Sequence, residues 1–559
     1  MKWSIKYIVS ALPFLFTACS GDWLDLDPST SVTSDNAIQS LEDAKTALNG
    51  IYRIASEHSY YGDNYLYYAD CRGEDVQARI DKGPGRRVSP YYLFNVAADD
   101  AFNITRVWNQ PYIVIHQANS LIEKIDNGSV QTSDTQEIAR IKAEALAMRG
   151  LALFDLTRLF GMPYTLDNGA SLGVPIEIKT ELPTHQPSRN TVAECYNQVI
   201  KDLTEALPNL VTTKFDGHQN VWSVKALLSR IYLYMNDNEN ALKYAQEVIN
   251  NGDLYTLFTH DEYTSVWGKD FNSESLFEFY FTLTEPSGGS GGEGAPMVYA
   301  DNVKDWNNLV LTKDFLDLLG EDPDDVRHAL CRLPQKPDED ILPTGSTGHP
   351  KYLTKYPGKT GDVLTGNPQD NDLCIIRLSE IYLNAAEAAF KLGKRSEALG
   401  YLNQIVSRAN PNKSVSDSEL SLERILKERR KELVGEGHAF FDYMRNNIPV
   451  IRKGGWHLPQ LPTDAQVLNA SDPRVALPIP QSEIDANPNI VQNKRNTKKK
   501  RGMDLNPFPF FLVSLISFSR SVAPNPTAPR SHRPVSPYLL SPIARPPIIT
   551  GNQIPRCRD

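Results

Sequence analysis

The chain has 559 residues, 41% hydrophobic and 23% charged, with a formal net charge of −10. That length supports a large core. The charge is uneven: residues 494–559 hold twelve Lys/Arg against two Asp/Glu, so the rest of the chain carries −20. Such an acidic body repels a phosphate backbone and argues against nucleic acid as a partner.

The N-terminus reads as an export signal. Lys2 and Lys6 form a short basic region, and an apolar run from Tyr7 to Phe16 follows. Thr17 and Ala18 then lead into Cys19. Ten apolar residues are too few to span a bilayer, which needs roughly 20. The pattern predicts a lipoprotein signal over 1–18, cleaved so that Cys19 is lipidated. Phe16 stands where Leu is usual in such a signal, and Leu15 lies one residue earlier. An ordinary signal peptide with a chance cysteine is the alternative. Each buried CH₂ of an acyl chain contributes roughly 0.8 kcal/mol, so two or three chains hold a protein on a membrane. The segment after Cys19, rich in Asp and ending at Pro28, reads as a tether.

Ser40 followed three residues later by Asp43 is a helix-start signature. Ile38, Leu41, Ala44, Leu48, Ile51 and Ala55 then make one apolar stripe at helical spacing. A second helix is predicted from about Gln136 to Phe160, stopped by Gly161 and Pro163. Two later segments resemble each other. Val224–Leu233 and Ala241–Ala245 flank a break at Asn236–Asn238, and Leu378–Ala389 and Ala398–Leu402 flank one at Gly393–Lys394. Both read as degenerate tetratricopeptide hairpins. Residues 77–107 and 260–370 are rich in Gly, Pro, Asp and aromatics, and loops this long tend to carry function.

Cys71, Cys195, Cys331 and Cys374 have no CxxC spacing and could form disulfides or stay as buried thiols. Residues 494–559 contain eleven of the 38 prolines and no Glu. They are expected to be a disordered or out-of-frame tail rather than part of the body.

Several segments in order resemble the SusD/RagB-like family of outer-membrane lipoproteins from Bacteroidetes. They are the lipidated start with Trp23-Leu24-Asp25, Ala44–Tyr52, Trp108–Ile125, Ala143–Tyr164, Arg377–Glu387, Glu428–Arg445 and Leu477–Asn493. The last marks a body spanning 19–493. The resemblance implies a mainly α fold, with tetratricopeptide-like hairpins packed on a loop-rich irregular region. It also implies a cell-surface lipoprotein that captures an oligosaccharide, or less often a peptide. The ligand would pass to a SusC-like TonB-dependent transporter in the outer membrane.

A sugar ring lays its C–H face on an aromatic ring, with polar side chains meeting its hydroxyls. The loop aromatics Tyr60, Tyr61, Tyr91, Tyr92, Trp267, Tyr299 and Trp306 are therefore candidate ligand contacts, with Asn95, Asp301 and Arg86 beside them. Each could instead pack beneath its own loop. Glu436, His438 and Asp442 cluster suggestively, but the amphipathic helix before them makes a structural role the stronger reading. No HExxH, GxSxG or Walker pattern occurs, so neither catalysis nor a cofactor is expected. Glu321, Asp322, Asp324 and Asp325 could hold a structural Ca²⁺ but lack calcium-loop spacing. The other functional classes left open are a glycoside hydrolase and a protein-binding scaffold.

Overall fold

The computed structural model describes residues 37–79, 88–182, 184–287, 294–299, 308–333, 350–453 and 461–494. Cys19, Arg86, Asp301 and Trp306 lie outside them, as do the Gly-rich run from Gly288 to Glu293 and the basic tail beyond Lys494. The chain divides into two units, Met1–Asn496 and Thr497–Asp559, and the description below concerns the first.

The described part is mainly α-helical, as expected from the sequence. Helix α1 (Leu41–Ser56) begins at Ser40, whose hydroxyl accepts from Asp43 N while Asp43 accepts from Ser40 N. Its Ala44, Leu48, Ile51 and Ala55 are buried. Helix α2 (Asn64–Arg72) follows, then strand β1 (Val76–Ala78). Helix α3 (Arg106–Asp126) packs along α4 (Thr135–Phe160), which in turn packs on α5 (Val192–Ala206). Beyond Ile141, α4 is buried almost all round, so it forms the axis of this half. Gly161 ends it, its N–H donating to Thr157 O at 2.8 Å.

The two hairpins form as the repeat pattern predicts. Helix α6 (Val221–Tyr234) pairs with α7 (Asn238–Ile249). After β2 (Ser275–Phe279), β3 (Leu309–Leu311) and β4 (Leu373–Arg377), helix α8 (Leu378–Lys391) pairs with α9 (Arg395–Ala409). Ala226, Ala241, Ala245, Ala385, Ala389 and Ala398 are fully buried, and these small side chains let the helices approach closely. The hairpins also pack on each other through α7 and α8. Arg230 on α6 makes a bidentate pair with Glu380 on α8, at 2.7 and 2.6 Å.

Helices α10 (Leu422–Leu433) and α11 (Ala439–Arg445) close the body. The strands are short and antiparallel: β1 pairs with β3, and β2 with β4 through two register shifts. They tie the irregular region to the helices, and among the described residues every sheet has two strands. Cys71, Cys195, Cys331 and Cys374 are free thiols, which settles their sequence ambiguity. Among the described residues, no helix is long and apolar enough to cross a membrane.

Candidate functional site

Most of the sequence-predicted aromatics are core residues, and this corrects the expected arc. Tyr60 and Tyr61 are 1% and 2% exposed, and both hydroxyls donate to Asp155 Oδ2 from α4. Tyr65 donates to Oδ1 of the same carboxylate. Tyr91 is buried with its hydroxyl on Asn103 O at 2.6 Å, and Tyr92 lies buried under the Arg452 guanidinium. Tyr299 is buried and donates to Asp70 Oδ2 at 2.8 Å. A buried phenol must find a hydrogen-bond partner, and Tyr60, Tyr61, Tyr91 and Tyr299 each find theirs on another element. None of Tyr60, Tyr61, Tyr91, Tyr92 and Tyr299 can meet a ligand at the surface.

Trp267 is half-buried and not a free platform. Lys355 Nζ and the Arg377 guanidinium lie 4.7 and 5.5 Å from its ring, and the Tyr263 and Phe258 rings meet it edge-on. Its Nε1 borders a small cavity of about 30 Å³ and has no hydrogen-bond partner in the protein. That space accommodates a single water. Asn95 is exposed just after the short helix Val88–Tyr92.

The motif Glu428–Arg445 is a buried ion network. Glu432 accepts from Arg377 and Arg408, each at 2.7 Å, and from Arg327 at 3.2 Å. Burial alone would raise its pKa, but the surrounding Arg408, Arg377 and Arg327 hold it well below the ordinary range. Glu436 accepts from Arg377 and Lys355. Asp442 pairs with Arg429 and Arg445. His438 is buried, and desolvation pushes its pKa down to about 4. Gly435 and Gly437 both take left-handed backbone angles. A Cβ on Gly437 would lie 2.8 Å from Leu66 O, so the motif's glycines serve close packing. Buried charges with these fixed partners stabilise the fold and present no accessible acid or base.

Two members of the acidic run at 321–325 have partners within the protein, while Glu321 and Asp324 are exposed. Asp322 accepts from Asn410 Nδ2, and Asp325 pairs with Arg327 at 2.6 Å.

One accessible aromatic platform stands at the end of β2. Phe277 and Phe279 are buried, and Tyr280, the first residue past the strand, is 51% exposed. It stacks on Phe271 with centroids 5.7 Å apart and planes 16° apart. Phe271 is held at φ 44° by its own N–H, which donates to Glu278 Oε1 at 3.0 Å, and by its carbonyl, which accepts from Lys214. Lys359 Nζ lies 3.8 Å from the Tyr280 ring centre and donates to Asp270 at 2.7 Å and Asp372 at 3.1 Å. The result is a fixed aromatic surface rimmed by one cation and its carboxylates, able to stack an apolar ring face and bond its hydroxyls.

Beneath this surface, the Asp372 and Glu278 carboxyls are buried side by side. Burial, then the charge of Glu278, raises the Asp372 pKa to about 8, and burial also raises Glu278. Asp372 Oδ2 and Glu278 Oε2 are buried without a hydrogen-bond partner in the protein, so a proton held between the two carboxyls is the donor that would satisfy them. Sequence reasoning missed Tyr280 because it abuts an apolar strand and reads as its continuation. The alternation beginning at Phe277 and Phe279 was the available signal.

Comparison with known proteins decides the family. A model described as the SusD family matches residues 343–495, and one described as starch-binding associating with outer membrane matches 22–233. A crystallised SusD superfamily protein from Bacteroides thetaiotaomicron is 59% identical. It superposes with a TM-score of 0.78, over 82% of this chain and 100% of that one. The chain belongs to the SusD family. SusD-like protein P2 of Formosa agariphila is 24% identical over 530 residues, covering 87% of this chain and 99% of its own. A laminarin-binding SusD-like protein shares 26% identity with a TM-score of 0.64, over 81% of this chain and 98% of that one. The SusD-family matches include the Glu428–Arg445 ion network, and neither family model extends past residue 495.

Proposed function

We propose that this SusD-family protein is a non-enzymatic carbohydrate-binding lipoprotein of the outer membrane. Acylation at Cys19 anchors it, and it delivers glycan to a SusC-like TonB-dependent transporter. The observation that carries the binding role is the half-exposed Tyr280 ring, fixed between Phe271 and Lys359. A related protein that binds laminarin and a family model described as starch-binding support a glycan as the ligand class. The description of that model also supports residence at the outer membrane.

A glycoside hydrolase is disfavoured at this surface. Its two carboxyl groups must stand about 5–9.5 Å apart across a scissile bond. The acid pair under Tyr280 is in hydrogen-bond contact, and both members are buried. Affinity electrophoresis against a polysaccharide panel tests the proposal. Retardation by at least one glycan, without shortening of that glycan, is the expected result. Depolymerisation by the purified protein would replace binding with catalysis. Co-purification of the transporter from solubilised outer membranes tests the partnership.

A further inference from the structure

The segment after α4 returns across α3 as a strap. Tyr112 on α3 donates to Pro175 O at 2.9 Å, and Asn119 Nδ2 donates to Glu177 O at 3.2 Å and Lys179 O at 3.0 Å. Thr180 N donates to Glu123 at 2.7 Å. The far end of the strap is fixed to the C-terminal segment, where Asn487 Nδ2 donates to Pro187 O at 2.9 Å. These bonds hold open a cleft of about 480 Å³ between strap and helix, within the usual range for ligand sites.

One side of the cleft is apolar, made by Trp108, Tyr112, Ile113, Pro175 and Leu182, with Ile113 42% and Leu182 75% exposed. The Trp108 and Tyr112 rings lie 5.1 Å apart, and Trp108 meets Phe160 edge-on, which fixes the aromatic wall. Asn109, Tyr112, Ile113 and His116 recur at helical spacing along the face of α3 that borders the strap. Asn109 and His116 are exposed, and Glu483 enters the lining from the short helix Gln481–Ala486. Among the described residues, the side chains of Asn109, His116 and Glu483 have no hydrogen-bond partner in the protein. The strap's own charges are engaged with one another: Lys179 pairs with Glu181 at 3.1 Å, and His185 faces Glu177 at 3.4 Å.

That lining selects its ligand by chemistry. An anionic ligand would meet the carboxylates of Glu177, Glu181 and Glu483 and find Lys179 already paired. A wholly apolar ligand would cover Asn109, His116 and Glu483 and leave them desolvated without partners. A sugar ring answers both walls, with its C–H face on the aromatic and aliphatic side and its hydroxyls on an amide, an imidazole and a carboxylate. We propose that the cleft between α3 and the strap is a second binding site, for an uncharged saccharide, in which Asn109, His116 and Glu483 bond the hydroxyls. The inference rests on the glycan-binding reading above, and it adds a site that shares no lining residue with the Tyr280 platform.

Calorimetric titration of maltotriose and laminaritriose into the full-length Tyr280→Ala variant tests it, because that variant lacks the other platform. At least one trisaccharide should still bind, at one equivalent. Adding Asn109→Ala with His116→Ala should weaken this residual binding at least tenfold. Adding Gln117→Ala instead, exposed on the same helix outside the cleft, should leave it unchanged. All these positions on α3 are exposed, so melting temperatures should match across the variants. A parent that binds a trisaccharide beside a Tyr280→Ala variant that does not would overturn the cleft assignment and leave the glycan reading standing. So would residual binding that survives the paired cleft substitutions. A parent that binds neither trisaccharide would overturn both.

Discussion

Lys359 Nζ lies 3.8 Å from the centre of the Tyr280 ring while bonded to Asp270 and Asp372. The lysine therefore fixes the ring and presents its charge at the rim of the same surface. Lys359→Ala releases the ring and removes a hydroxyl partner. Glycan affinity measured by calorimetry should fall several-fold, while stability changes by no more than about 1 kcal/mol, as for other partly exposed ion pairs.

The acid pair below that surface makes stability depend on pH. Asp372 keeps its proton up to about pH 8 when folded, against an ordinary value of 3.8. The folded state binds the extra proton between those values, so stability from this group is complete below about pH 4. It declines as pH rises towards 8. Asp372→Asn retains a donor towards Glu278 and removes the titration. Urea midpoints measured from pH 5 to 8 should lose that downward contribution in the variant. An unchanged pH profile would show that the two carboxyls do not share a proton.

The Glu428–Arg445 network should behave as a structural unit. Glu432 is fully buried among Arg377, Arg408 and Arg327. Glu432→Gln leaves those guanidinium groups short of a counter-charge in the core. The expected cost is about 3–5 kcal/mol, read from chemical denaturation. A loss below 1 kcal/mol would mean that the network is hydrated or rearranged.

The helices were legible in the sequence because their causes are local. Ser40 with Asp43, the apolar stripe of α1, the stop at Gly161 and the alanine spacing of the two hairpins each act within a few residues. The binding surface was not legible because burial is decided at long range. Tyr60 sits in a Gly- and Asp-rich stretch that reads as surface loop, yet its partner Asp155 lies 95 residues away on α4. Nothing in the neighbourhood of Tyr60 announces that carboxylate. Conversely, Tyr280 lies between buried Phe279 and Phe281, and nothing local marks it as the exposed ring. The Glu428–Arg445 motif reads as structural from its amphipathic helix, but its partners Arg327, Arg377 and Arg408 come from three separate segments.

The reassignment of Tyr60 to the core has its own test. Tyr60→Phe removes one of the hydrogen bonds to Asp155 and leaves the ring in place. Stability should drop by roughly 1.5–3 kcal/mol, the range for a hydrogen bond to a charged group. Glycan affinity should not change. A variant of parental stability with weakened binding would return Tyr60 to the ligand site.

Calorimetry of glycan binding by the parent and the Tyr280→Ala variant tests the central claim most directly. The glycan is the tightest binder from a panel that includes starch and laminarin. Removal of the ring deletes a stacking surface whose burial contributes about 25 cal/mol per Å². Affinity is predicted to fall at least tenfold, equivalent to about 1.4 kcal/mol, with an unaltered melting temperature. Equal affinity of the two proteins, or failure of the parent to bind any glycan of the panel, would contradict the account.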